Sequence, residues 1–240
     1  MSNRTALITG ASRGIGQAIA VALAKKGYNL ILVCHKNIDM LNNLANVLTD
    51  TYNINCTCAA GDVGDYEYVK SLYKNIDELD VLVNNAGISY FGLISDMDDK
   101  IWHNVMSTNL DSVFYMSKFA SEKMLKKHDG KIINISSVWG NVGASLESAY
   151  SASKGAVNAF TKALAKELAP SNISVNAIAC GIIDTEMNSH LTEDELAEII
   201  NEIPADRLGT PKEIGDMVLS IISSPKYMTG QIITVDGGWT

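Results

Sequence analysis

Proline, cysteine and long apolar runs are all scarce in this sequence, and each scarcity argues against a class of protein. The 240 residues include 4 prolines and 4 cysteines, without a Cys-x-x-Cys pair. All apolar runs fall short of the ~18 residues that a membrane span needs. The N-terminus, MSNRTALITG, lacks the apolar region of a secretory signal peptide. We therefore expect a cytoplasmic protein with reduced thiols in or beside its core, at positions 34, 56, 58 and 180.

Positive charge is also in short supply. Lysine and arginine number 19 against 27 aspartates and glutamates, which gives a formal net charge of −8 at pH 7. A negative surface disfavours nucleic acid and an anionic membrane as partners. The 4 histidines are scattered without the spacing of metal ligands, so we expect no metal site.

The chain does contain a regular alternation of short apolar segments and amphipathic helical segments. Ile15, Ile19 and Leu23 recur at intervals of four, which places them on one face of a first helix. Such alternation predicts an α/β fold, a doubly wound parallel sheet of the Rossmann type with seven strands and helices on both faces. The predicted strands are residues 5–9, 30–34, 55–59, 81–84, 131–136, 174–178 and 231–235.

One domain over residues 1–240 accounts for this pattern, which loosens only over residues 184–205. Within that segment Thr192 is placed to cap a short helix that ends before Pro204. An excursion after the carboxyl end of a strand lies where ligands bind in open α/β sheets. The segment is either a small substrate lid or a plain surface insertion, and the sequence leaves both possibilities open.

The stretch from residue 137 to residue 154 concentrates groups that could act on a carbonyl. Tyr150 and Lys154 stand four residues apart, so on a helix they lie one above the other. A nearby ammonium favours the phenolate and should lower the pKa of tyrosine from ~10. A phenol tuned in this way can exchange a proton with a carbonyl oxygen, and Ser137 offers a second hydroxyl. Taken alone, such a pair is more often an ordinary feature of a helix surface.

A glycine-rich turn connects the first predicted strand to the first predicted helix. Glycines 10, 14 and 16 permit a tight turn and let backbone N–H groups approach a pyrophosphate at the start of the helix. The spacing is G-x-x-x-G-x-G rather than the G-x-G-x-x-G of many dinucleotide-binding proteins. A plain connector between strand and helix is the alternative.

The order and spacing of these motifs resemble the short-chain dehydrogenase/reductase family over the whole chain. The glycine turn matches its cofactor loop, NNAG at 84–87 matches its motif after the fourth strand, and thirteen positions separate the serine from the tyrosine. The resemblance implies a nicotinamide-dependent oxidoreductase of alcohol and carbonyl groups. The implied catalytic residues are Asn109, Ser137, Tyr150 and Lys154. The implied cofactor contacts are Gly10, Ser12, Arg13, Gly14, Ile15, Gly16, His35, Lys36, Asp62, Val63, Asn85, Ala86, Gly87, Tyr150, Lys154, Gly181, Ile183 and Thr185.

The resemblance also implies a role for each catalytic residue. Ser137 binds the carbonyl oxygen, and Tyr150 protonates it. Lys154 lowers the pKa of the tyrosine and holds the nicotinamide ribose, while Asn109 holds a water. The family further implies a homotetramer, with the helical segments over 99–127 and 149–168 in one interface.

The end of the second predicted strand indicates which cofactor the chain prefers. NAD needs an acid there for its ribose hydroxyls, whereas a 2′-phosphate needs positive charge. Here His35 and Lys36 follow the strand and no acid does, and Arg13 can reach the same phosphate. We therefore predict NADP(H), with a solvated loop lysine as the alternative.

The resemblance implies a ketone substrate, and the sequence is similar to two groups of reductases that act on different ketones. The chain is most similar to the 3-oxoacyl-carrier-protein reductase-like group, but members that act on carrier protein usually have basic residues where this chain has His128 and Ser171, although Lys126 and Lys127 lie close by. The wider family often has a proline where this chain has Cys180. The segments FGLISDMD, SSVWG, EIPADRLG and GQIITVDGGW also resemble elongation factor P 5-aminopentanone reductases. We predict NADPH-dependent reduction of a carrier- or protein-bound ketone of the second type, with 3-oxoacyl-carrier-protein reduction as the alternative. A catalytically inactive NADP(H)-sensing module is the alternative from a different class.

An apolar pocket with an acidic rim is expected above the nicotinamide. The residues expected to line it are Trp139, Leu146, Tyr90, Phe91, Met187 and Trp239. The acidic residues expected at the lid are Asp184, Glu186, Glu193, Asp194 and Glu195. Such a pocket should favour a ketone that carries a cationic amine over a strongly anionic substrate.

Overall fold

A parallel sheet of seven short apolar strands forms the centre of the fold, as predicted. The computed structural model describes residues 4–189 and 191–240. Residues 1–3, and His190 of the predicted lid, lie outside the described residues. The strands are β1 (Thr5–Thr9), β2 (Asn29–Cys34), β3 (Cys56–Ala60), β4 (Val81–Asn84), β5 (Gly130–Ser137), β6 (Ile173–Cys180) and β7 (Ile232–Val235).

Helices cover both faces of the sheet because successive strand residues point to opposite sides. Ile8 of β1 packs in a core with the helices α1, α2 and α9, whereas Leu7 packs in a second core with α3, α5 and α7. This arrangement of helices on both faces of the sheet confirms the predicted doubly wound fold. The helices are α1 (Gly14–Lys25), α2 (Ile38–Tyr52), α3 (Tyr66–Tyr73), α4 (Asp99–Met106), α5 (Ser112–Lys127), α6 (Trp139–Val142), α7 (Ser148–Leu168), α8 (Glu193–Glu202) and α9 (Pro211–Ser223).

The strand order β3-β2-β1-β4-β5-β6-β7 fixes where a ligand can bind. The chain runs outward from β1 to β3 and then returns to the other side of β1, where β4 pairs with it in parallel. Loops that leave the carboxyl ends of β1 and β4 therefore diverge and open a crevice between them. The glycine turn follows β1 and the NNAG segment follows β4, so both line this crevice.

The helical segment predicted over residues 99–127 is interrupted. A five-residue π-helical segment, Ser107–Asp111, separates α4 from α5. Such π-helical turns insert an extra residue into a helix and are frequent at functional sites. Asn109, a predicted catalytic residue, lies within this segment and is fully buried.

The short helix predicted after Thr192 is present as α8. The Thr192 hydroxyl accepts a hydrogen bond from the Glu195 N–H at 3.3 Å, and the Glu195 carboxylate accepts one from the Thr192 N–H at 2.8 Å. This reciprocal capping box defines the start of the helix. Within the described residues, no helix is both long enough and apolar enough to cross a bilayer.

Candidate active site

Tyr150 and Lys154 face each other on the first turns of α7. The Lys154 Nζ atom lies 5.6 Å from the centre of the Tyr150 ring. The lysine side chain is buried, with 4% exposure, and its ammonium donates a hydrogen bond to the carbonyl oxygen of Ile135 at 2.8 Å. A strand carbonyl therefore fixes the ammonium below the tyrosine.

The predicted lowering of the Tyr150 pKa is wrong for this arrangement of residues. Burial raises the pKa of Tyr150 above its ordinary value, and the nearby Ser137 hydroxyl offsets this only in part. Burial also lowers the pKa of Lys154, to about 8. Desolvation disfavours both charged forms, and here it outweighs the attraction between ammonium and phenolate. Tyr150 therefore keeps its proton at neutral pH.

Ser137 brings a second hydroxyl to the phenol. It is the last residue of β5, where it pairs in register with Cys180 of β6. Its hydroxyl lies close enough to the Tyr150 phenol to favour the ionised form of that phenol. Its oxygen also accepts the backbone N–H of Trp139 at 3.2 Å. Two hydroxyls therefore meet at the carboxyl end of β5, where one carbonyl oxygen can contact both.

Asn109 contacts two other parts of the site through its side-chain amide. The amide nitrogen donates to the Ile88 carbonyl at 2.9 Å and to the Ser153 hydroxyl at 3.0 Å, and the amide oxygen accepts the Ile88 N–H at 2.8 Å. This side chain therefore holds the loop after β4 against α7. The sequence analysis predicted neither this positioning role of Asn109 nor the contact of Asn109 with Ser153, the residue directly before Lys154.

The glycine turn has the geometry that a pyrophosphate requires. Gly10 and Gly14 have φ values of +65° and +56°, a region that favours glycine. A Cβ on Gly16 would lie 2.2 Å from the Gly10 carbonyl oxygen, so the turn excludes any side chain there. In the described structure no side chain caps the start of α1, and its first turn carries no acid. Its backbone N–H groups fit an anionic ligand, as a dinucleotide would supply.

Further contacts bring other predicted cofactor residues to this turn or to Lys154. The Thr9 hydroxyl oxygen accepts the backbone N–H groups of Asn85 and Ala86, both at 3.0 Å. A Cβ built on Gly14 would lie 3.3 Å from the Thr185 methyl carbon, so these two loops touch. A Cβ built on Gly87 would lie 3.4 Å from Lys154 Nζ. The sequence analysis did not include Thr9 among the site residues, although its position directly before the glycine turn could have indicated this role.

The predicted residues for the adenosine end also lie close together. The Gly61 N–H donates to the Cys34 carbonyl at 3.0 Å, which places the loop after β3 beside the loop after β2. His35 and Lys36 are exposed, and the Asp62 carboxylate accepts the Gly64 N–H at 2.8 Å.

Arg13 has a partner that the sequence did not predict. Its guanidinium donates to the Glu186 carboxylate at 2.6 Å, so it contacts the loop after β6 rather than the loop after β2. Both side chains are more than half exposed, and such pairs are weak. Arg13 can therefore exchange this partner for a phosphate at little cost.

The other predicted cofactor residues differ in their exposure. Ser12 and Val63 are buried, and Ile15 is half-buried. The Gly181 N–H donates to the Val235 carbonyl at 2.9 Å, and Ile183 is buried and forms an isolated β-bridge with Gly209.

Aromatic side chains stand at the mouth of the site. The rings of Trp139 and Trp239 lie 4.9 Å apart, and the Trp239 indole N–H donates to the Glu202 carboxylate at 3.2 Å. The Leu146 carbonyl accepts the Gly92 N–H at 2.8 Å, which joins two of the loops predicted to line the pocket. Phe91 and Met187 are exposed, as are the acidic residues Asp184, Glu193 and Asp194.

The pattern of these residues is matched by a known family. The model of short chain dehydrogenases matches residues 4–196. The chain belongs to this family. It is therefore an oxidoreductase that uses a nicotinamide cofactor, which agrees with the crevice described above.

Several relatives of this short chain dehydrogenase match over nearly their whole length. The uncharacterized oxidoreductase YmfI of Bacillus subtilis is 41% identical over 239 residues, which cover 99% of each chain. The 3-oxoacyl-(acyl-carrier-protein) reductase FabG of Escherichia coli is 39% identical over 240 residues, 98% of this chain and 96% of that protein. The crystal structure of YwfH, an NADPH dependent reductase involved in bacilysin biosynthesis, matches with a TM-score of 0.94 at 26% identity. That match covers 100% of this chain and 99% of the other.

Proposed function

We propose that the protein is an NADPH-dependent ketone reductase that acts on a ketone attached to a protein or carrier. The observation that carries the proposal is that the Tyr150 ring lies 5.6 Å from the buried, strand-bound ammonium of Lys154, with the Ser137 hydroxyl near enough to influence the pKa of the phenol. These groups stand at the carboxyl end of β5, next to the NNAG loop and the glycine turn. A carbonyl oxygen and a nicotinamide therefore share one crevice.

The proposed mechanism assigns one task to each side chain. The nicotinamide cofactor, when bound, supplies the hydride to the carbonyl carbon. The Ser137 hydroxyl donates a hydrogen bond to the carbonyl oxygen as negative charge develops there. Tyr150, which burial keeps protonated, then gives its proton to that oxygen. The Lys154 ammonium stabilises the tyrosinate that remains, and Asn109 keeps the loop after β4 in position.

Charge at the end of β2 favours NADP(H) over NAD(H). His35 and Lys36 are exposed at this position, and residues 35–37 contain no acid that could bind ribose hydroxyls. Arg13 lies in the adjacent turn and is held only by a solvent-exposed pair. YwfH, described as NADPH dependent, supports the same assignment by its similar fold.

The mouth of the site favours an apolar ketone with a cationic amine, of the kind that elongation factor P carries as an aminopentanone. Trp139 and Trp239 provide an aromatic surface, and α8 begins with three consecutive acids. An acidic rim repels an acidic carrier and attracts an amine. We propose α8 and the loop before it as the lid over this substrate.

The decisive experiment compares two protein-bound ketones with the same enzyme. We expect kcat/KM for elongation factor P bearing the aminoketone to exceed that for acetoacetyl-acyl carrier protein by at least ~10-fold, a difference of about 1.4 kcal/mol. NADPH oxidation at 340 nm, read in parallel with mass analysis of elongation factor P, measures both. Absence of turnover on all ketones, with NADPH still bound, would favour an inactive binding module instead.

Reduction of 3-oxoacyl-carrier protein is the second candidate. It is favoured by the relatives of that name, which are 37–39% identical to this chain over almost its whole length. Against it, His128 and Ser171 stand where that group usually has basic residues, and they offer no permanent positive charge for an acidic carrier. Faster reduction of the carrier-protein substrate in the same comparison would establish this candidate and remove the first.

We further propose a homotetramer, because α4 and α5 expose large apolar side chains. Trp102, Phe114 and Leu125 are 38–46% exposed on these two helices. Exposed apolar surface of this kind is typical of contacts between subunits with closed symmetry. Light scattering at micromolar concentration should give about four times the 25.9 kDa of one chain. A mass of one chain at that concentration would contradict the proposal.

A further inference from the structure

A carboxylate lies beside the proposed proton donor. Glu147 precedes the first residue of α7, three positions before Tyr150, and its side chain is half-buried. Residues three apart at the start of a helix are neighbours on its surface. Burial is the main cause of the raised pKa of Tyr150, and the negative charge of Glu147 makes a smaller contribution in the same direction, after that of Cys180. The sequence analysis did not identify this residue.

The position of this carboxylate is fixed from several sides. The Ser89 hydroxyl donates to Glu147 Oε2 at 2.6 Å, and Ser89 belongs to the loop that follows the NNAG segment. The backbone on either side is also held, because the Gly92 N–H donates to the Leu146 carbonyl and the Ser151 N–H donates to the Glu147 carbonyl, both at 2.8 Å. Glu147 therefore presents a localised negative charge.

Glu147 forms no ion pair among residues 4–189 and 191–240, where the ion pairs involve other acids. A nearby carboxylate disfavours the tyrosinate that forms when Tyr150 gives up its proton. For a neutral or anionic substrate, Glu147 therefore opposes catalysis. A cation on the substrate would remove this cost and would gain attraction to the carboxylate as well.

Aromatic surface is available to the same cation. Trp139 donates its backbone N–H to the Ser137 hydroxyl, so it lies directly beside the proposed carbonyl site. Its ring contacts that of Trp239. Indole faces attract ammonium groups, and they tolerate alkylated ones.

We propose that Glu147 is a specificity-determining residue that selects ketones with an ammonium group a few bonds from the carbonyl. The inference rests on the proposed ketone reduction and adds the residue that distinguishes substrates by charge. The ligand class is a short aliphatic ketone with a terminal amine or alkylated amine.

Three small ketones of similar shape test this with the whole enzyme and NADPH. One is cationic, 5-(trimethylammonio)pentan-2-one, which cannot cyclise. Its neutral isostere is 6,6-dimethylheptan-2-one, and 5-oxohexanoate is the anionic member. In the wild type, kcat/KM should fall in the order cation, neutral, anion. Glu147→Gln keeps an acceptor for Ser89 but removes the charge, so the ratio of cation to neutral should drop roughly tenfold while the anion improves.

Glu167→Gln is the matched control, because it makes the same charge change at an exposed position near the far end of α7. It should leave all three ratios unchanged. An unchanged cation-to-neutral ratio in Glu147→Gln would overturn the proposal while leaving ketone reduction intact. A wild-type enzyme that prefers the neutral ketone would overturn it without any variant. Failure of the wild type to oxidise NADPH with any ketone would overturn both the proposed function and this inference.

Discussion

Replacing Tyr150 with phenylalanine should lower kcat for ketone reduction at least ~10²-fold, the lower end for loss of a general acid. The variant removes only the phenol oxygen that transfers the proton. The ring that lies 5.6 Å from Lys154 Nζ remains, so the lysine, to which we assign a contact with the nicotinamide ribose, should keep its place. NADPH affinity, measured by fluorescence or calorimetry, should therefore change little.

Tyr227→Phe provides the control for this change. Tyr227 is 99% exposed, so the loss of its hydroxyl should affect neither turnover nor cofactor binding. Near-normal kcat in Tyr150→Phe would remove the tyrosine from the mechanism. Loss of NADPH binding together with activity would show that the phenol acts mainly in cofactor binding.

Reversing the charge of Lys36 should change the cofactor preference by about 10²-fold. The wild type should use NADPH with a much higher kcat/KM than NADH. In Lys36→Asp, the new carboxylate repels the 2′-phosphate of NADPH and can accept hydrogen bonds from the ribose hydroxyls of NADH. Two such effects of ~1.4 kcal/mol each amount to about two powers of ten.

Lys74→Asp makes the same charge change in an exposed residue just after α3. Asp62 lies just before the start of α3, whereas Lys74 lies just after its end. Substitution of Lys74 should therefore leave the ratio of NADPH to NADH activity unaltered. Equal use of the two cofactors by the wild type would contradict the assignment of NADP(H). An unchanged preference in Lys36→Asp would show that this lysine is a solvated loop charge.

Assembly of the site depends on contacts that no local pattern contains. Arg13 and Glu186 are 173 positions apart in the chain, yet their side chains meet. The sequence analysis predicted that Arg13, in the glycine turn, could reach a 2′-phosphate at the end of β2. The fold instead brings the loop after β6 over the glycine turn, where an acid pairs with it.

Burial overturned the prediction that Lys154 lowers the pKa of Tyr150. The spacing of Tyr150 and Lys154 correctly predicts that they are neighbours, but it contains no information on how much water reaches them. The surrounding strands and loops bury Lys154 and half-bury Tyr150, and this desolvation raises the pKa of the phenol and lowers that of the ammonium.

The sequence alone determined the features that depend on neighbours along the chain. Apolar periodicity and glycine spacing set the strands, α1 and its turn, and the Thr192–Glu195 capping box sets the start of α8, because each requires only residues within a few positions. The tertiary structure decided the rest. Pairing of β5 with β6 extended these strands to Ser137 and Cys180, and contacts with Ile88 and Ser153 hold Asn109 within a π-helical segment. These outcomes depend on which distant groups meet and exclude water, and that is settled only when the whole sheet has formed.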